Sequence, residues 1–176
     1  MMGKVFIIIV TLLVITFFWA FIFFDKDQEK YLKKDLLPVV SINGFLLTET
    51  YKEKKIWEIK AALAQVFKEE AQLKEVKVKF FIEDGNFYTI KANQGSINLV
   101  TKNFTLLGKT VVTSSKNLNL QTDLLNWDSQ KKLIYNSSPI KIIQDKITIT
   151  GNGLKLWPAG EITEILGNVR VVIEND

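Results

Sequence analysis

The chain has 176 residues, 23 of them basic and 19 acidic, with no cysteine and no histidine. Disulfides, thiolate nucleophiles, iron–sulfur sites and Ser-His-Asp triads are therefore excluded, and the commonest metal ligand and proton carrier is missing. The basic residues are spread along the sequence with a single arginine, Arg170; this reads as solubility and mild attraction to anionic surfaces, not as a nucleic-acid binder with its arginine clusters.

Val5 to Phe24 (VFIIIVTLLVITFFWAFIFF) carries no charge over twenty residues. As a helix it would span about 30 Å, which predicts one N-terminal transmembrane segment. Thr11 and Thr16 can bond a carbonyl one turn back, and Trp19 sits near the far end, where interfacial aromatics collect. A cleaved signal peptide is the rival, but the run ends Phe-Ile-Phe-Phe-Asp with no small-residue processing site. Charge leaves the orientation open. Lys26, Lys30, Lys33 and Lys34 follow the segment and only Lys4 precedes it, yet acidic residues offset them and the positive-inside rule weakens for long domains. The expected organisation is an anchor over 1–24, a charged linker over 25–37 and one folded domain over 38–176.

Strand signals dominate from Pro38 onward: Val39 to Ile42, then Val76-Lys77-Val78-Lys79-Phe80, then the hairpin signal Asp84-Gly85 leading into Phe87 to Ile90. Lys109 to Val112, Ile140 to Ile142, Ile147 to Thr150 and Val169 to Val171 continue the habit. Asn136 to Pro139, Gly151 to Gly153 and Pro158 to Gly160 read as turns between them. Ile59, Ile90, Leu120 and Ile149 recur 31, 30 and 29 residues apart, in step with Val78, Val111, Ile140 and Val169. A unit of about thirty residues would hold three or four short strands, stacked with one alternating face inward. Lys60 to Glu75 conflicts with this pattern, because its Ala, Leu, Glu, Lys and Gln favour helix.

Parts for catalysis are lacking. Glu83-Asp84 fits turn geometry, Glu69-Glu70 lies in a charged run, and Gly151-Asn152-Gly153 has neither the lysine nor the helix of a phosphate cradle. No enzyme and no cofactor are expected. Apolar surface remains: Trp57, Phe80, Phe104, Trp127 and Trp157 with many aliphatics. It suits an ordinary sandwich core or, if two sheets close incompletely, a trough for acyl chains.

Gly44-Phe45 and Tyr51 leading to Trp57-Glu58-Ile59-Lys60-Ala61, then Leu73-x2-Val76-x-Val78-x-Phe80 and Ile90-x-Ala92-x2-Gly95, form an ordered series. It continues through Leu106-x-Gly108, Leu120-x-Thr122-x2-Leu125-x-Trp127 and Gly151-x-Gly153-Leu154. With the uncleaved N-terminal run, the series resembles the LptC family, the bitopic component of lipopolysaccharide export. The resemblance implies an all-β, open, twisted β-jelly roll (OstA-like, or β-taco) of many short antiparallel strands, and makes Lys60 to Glu75 strand and turn. It implies an inner-membrane, single-pass protein with its domain in the periplasm, and it implies three partners. These are the lipid A acyl chains of lipopolysaccharide, the membrane subunits of an ABC transporter at the anchor helix, and a soluble LptA-like bridge protein at the C-terminal edge. Inward residues expected at the lipid are Ile59, Phe80, Ile90, Leu106, Leu120, Trp127, Ile142 and Ile149; those expected at the bridge protein are Val169, Val171 and Ile173. An envelope interaction protein with a dry β core is the alternative.

Overall fold

A computed structural model describes residues 38–174; the expected anchor and linker lie outside these described residues. Ten antiparallel strands form one open sheet in which β1 to β8 follow one another as neighbours and both β9 and β10 pair with β8. They are β1 (Val40–Tyr51), β2 (Lys54–Phe67), β3 (Glu70–Phe81), β4 (Phe87–Asn98), β5 (Phe104–Ser114), β6 (Asn119–Asp128), β7 (Leu133–Gln144), β8 (Ile147–Trp157), β9 (Ile162–Ile165) and β10 (Arg170–Ile173). The helix-favouring stretch lies on β2, a two-residue turn and β3: alternation of buried Ala61, Ala64, Ala71, Leu73 and Val76 with exposed polar neighbours outweighs propensity. Asp84-Gly85 forms the β3–β4 turn, with φ of 59° and 76°.

The expectation of short strands is overturned. Eight strands run ten to fourteen residues, and the thirty-residue repeat is one hairpin of two long strands. Two segments read as turns lie inside strands. Asn136 to Pro139 is a bulge in β7, and Gly151 to Gly153 lies within β8. Register shifts recur at mid-strand between Lys91 and Gln94, Leu107 and Thr110, Gln121 and Asn126, and Asn136 and Pro139. Bulges bend strands, and these lie side by side across neighbouring strands, so they bend the whole sheet along one line.

The sheet doubles over at that line into two facing leaves. Phe80 stands nine residues beyond Ala71 on β3, about 30 Å along an extended strand. Ala71 shares a cross-strand row with Ile97, Phe104 and Trp127. Yet the Phe80 ring lies 4.8 Å from that of Trp127, three strands away. Only face-to-face leaves allow both facts, and the hydrophobic core fills the space between them.

Alternation sends a polar set outward. Behind the first leaf, Lys60, Lys77 and Lys91 stand opposite one another on β2, β3 and β4, with Lys141 and Arg170 in the same cross-strand row. The basic residues are thus scattered in sequence but aligned in space. Like charges opposed across strands cost stability. Glu58 offsets part of this by pairing with Lys60 at 3.1 Å and Lys55 at 3.2 Å, and those hydrogen bonds hold its carboxyl below the usual range.

Candidate functional site

On the inner face of the first leaf one row crosses nine strands: Leu47, Ile59, Val78, Ile90, Val112, Leu120, Ile142, Ile149 and Val171. Every member is aliphatic. Ile59 to Ile142 are buried, Leu47 and Ile149 are half-buried, and Val171, on a strand whose outer edge is unpaired among the described residues, is 54% exposed. Val112, not the expected Val111, points inward; Val111 faces outward between Lys91 and Gln121. The period of thirty could not separate two adjacent valines.

Along the free ends of the leaves, Trp57 and Phe80 meet Phe104 and Trp127. Ring centroids lie 5.7 Å apart for Trp57 and Phe104, 4.8 Å for Phe80 and Trp127 and 6.1 Å for Phe104 and Trp127. Such ring pairs add about 0.5–1.5 kcal/mol each beyond the area they bury. This stretch of the lip, where β2 and β3 face β5 and β6, is closed. The Trp127 indole N–H is buried there without a hydrogen-bond partner among the described residues.

Between the ends of β4, β5 and β7 on one leaf and β9 on the other, the lip opens into a cleft of about 300 Å³. Ile82, Leu118, Ile142, Ile149 and Ile165 line its floor; Asn86, Ser114, Ser115 and Gln144 stand at its rim. Lys116, in the β5–β6 turn, reaches across to the Glu161 carboxylate in the β8–β9 turn. The bond that Lys116 donates to Glu161 holds its ammonium above its ordinary pKa. Tyr88, where the closed stretch meets the cleft, has its phenol pushed up by burial first and by the Glu161 charge second.

A buried polar group sits at the bend. The Asn136 side chain accepts from the Leu154 N–H at 3.0 Å and donates to Thr122 Oγ1 and the Leu124 carbonyl, both at 2.8 Å. The Thr122 hydroxyl donates to the Pro139 carbonyl at 2.9 Å. The bulges free these backbone groups from the ladder, and the two side chains re-pair them.

Of the eight inward residues expected from the sequence, Ile59, Ile90, Leu120, Ile142 and Ile149 share the inner row, Phe80 and Trp127 close the lip, and Leu106 lies buried on the second leaf. Val171 and Ile173 occupy inward positions of the last strand, while Val169 precedes that strand. Lys116, Glu161, Tyr88 and Asn136 were not anticipated. The first two are 45 residues apart in different turns, and no local pattern links them.

An open antiparallel sheet doubled over an apolar interior, with both edges unpaired among the described residues, fits a β-jelly roll. The family described as "Lipopolysaccharide-assembly, LptC-related" matches residues 6–174, and the chain belongs to it. No curated protein matches the chain. Membership implies a role in lipopolysaccharide transport, in a family of inner-membrane-anchored periplasmic proteins.

Proposed function

We propose that the chain takes lipopolysaccharide from the membrane subunits of an ABC transporter and passes it to a soluble LptA-like bridge protein, carrying the acyl chains between the two leaves. In this reading Val5 to Phe24 spans the inner membrane and packs on the transporter, with the domain in the periplasm. The supporting observation is the inner row, aliphatic on nine strands and exposed at Val171. Acyl chains gain about 0.8 kcal/mol per buried methylene, so an apolar path is what they require to cross an aqueous space. An unpaired edge with inward Val171 and Ile173 is normally an aggregation hazard; here a partner's strand would add to it and continue the path. Val169 would meet the same partner. Energy would come from the ATPase, so the chain needs no catalytic group.

The packed rings of Trp57, Phe80, Phe104 and Trp127 favour the second reading, a dry-cored interaction protein. Photo-crosslinkers placed singly at Ile90, Ile149 and Lys91 in the full chain, in membranes containing lipopolysaccharide, separate the two. Lipid adducts at Ile149 and Ile90 with none at Lys91 are expected. No adduct at any site supports the dry core; equal labelling at Ile90 and Lys91 refutes the inward path.

A further inference from the structure

The cleft between the ends of β4, β5 and β7 and the facing β9 combines two chemistries. Leu118, Ile142, Ile149 and Ile165 make an apolar floor, and Lys116 brings a full positive charge to the rim. Its three donors suit a phosphate or carboxylate oxygen. The Lys116 side chain is 57% exposed, and an ion pair this exposed contributes about 0–1 kcal/mol to stability. The pair with Glu161 is therefore easily exchanged. It joins turns of opposite leaves, so exchanging it also unfastens the lip.

We propose that Glu161 holds the place of an anionic headgroup: a phosphorylated, multiply acylated amphiphile lays its chains on the floor of the cleft, and its phosphate replaces the Glu161 carboxylate on Lys116. This rests on the lipid-carrying reading above. One ammonium cannot hold a carboxylate and a phosphate side by side without like-charge repulsion. Glu161, whose side chain is already 33% exposed, turns to solvent when the phosphate arrives. Loading of the cleft and release of the lip are then one event.

The test uses the full-length chain in nanodiscs and two probes, lipid A and dephosphorylated lipid A. Glu161→Gln removes the competing charge and is expected to tighten lipid A binding about three- to five-fold, the equivalent of a surface ion pair. Lys116→Gln weakens it by at least as much. The dephosphorylated probe shows only the change that an unfastened lip gives, the same for both substitutions and smaller than the gain of lipid A on Glu161→Gln. Unchanged or weaker lipid A binding by Glu161→Gln overturns the proposal, as does an equal gain for both probes, which would mean simple loosening. Because the chain has no cysteine, Lys116→Cys with Glu161→Cys, bridged by a short reducible bis-thiol crosslinker, gives an unambiguous lock; a direct disulfide would need Cα atoms within about 7 Å, closer than a lysine–glutamate pair requires. The bridged form should lose lipid A binding, and the reduced form, without the Lys116 ammonium, should bind as weakly as Lys116→Gln. Equal binding by both forms removes the lip from the route while leaving lipid carriage intact; a wild-type chain that binds neither probe overturns both readings.

Discussion

The two stretches of the lip belong to one doubled sheet and obey the same alternation, yet they close in opposite ways. Where β2 and β3 face β5 and β6, the leaves meet through Trp57, Phe80, Phe104 and Trp127, buried and in ring contact. Around the cleft they meet over smaller aliphatic residues and through one exposed ion pair. A doubled sheet can thus be welded at one end and latched at the other by the size of the side chains at its strand ends. The bend, held by Asn136 and Thr122, stays fixed in either case.

The largest effect should fall on the welded stretch. Phe80→Ala removes a buried ring and should cost about 3–5 kcal/mol in urea unfolding, whereas half-buried Ile165→Ala in the cleft should cost about 1. Equal losses would erase the distinction. An intermediate effect is expected at the bend: Asn136→Ala leaves the Leu154 N–H and the Leu124 carbonyl unpaired and should cost about 2–3 kcal/mol. A neutral result would place the origin of the fold-over in the packing alone. The smallest effect marks the boundary between the stretches. Burial raises the Tyr88 phenol above its ordinary value near 10, so the folded state holds its proton longer than the unfolded chain. Stability should be level below pH 10 and decline above it as the unfolded phenol ionises first. Tyr88→Phe should flatten that decline in alkaline unfolding curves.

Much of this architecture could be read without coordinates, for physical reasons that vary by residue. Ile59, Ile90, Leu120 and Ile149 recur at hairpin distance, and alternation alone sends them to one face. Helix propensity in Lys60 to Glu75 is a local preference, and the packing of Ala64, Ala71 and Leu73 on a bent sheet outweighs it. Asn136 to Pro139 misleads because turn residues and bulge residues are the same residues: both positions need a side chain that re-pairs freed backbone, and Pro139 has no N–H to lose. The Lys116–Glu161 latch exists only after the sheet has folded over. Its members carry no mark in the sequence that separates them from other surface charges.

The end of the sheet differs from its beginning. β1 is one strand running through both leaves, with Val40 and Ile42 on the second and Leu47 on the first. At the other end, β9 pairs with the latter half of β8 and β10 with the former. Between them Asn152 N–H donates to the Leu166 and Gly167 carbonyls. A Cβ on Gly151 would come within 2.9 Å of the Leu166 carbonyl oxygen, so a larger residue there would push the break apart. A two-fold axis would pair either edge with its own copy, whereas the proposed relay joins the divided last edge of one module to the first edge of the next. Under that reading the modules would stack head to tail, and a line built so has a direction before any cargo moves.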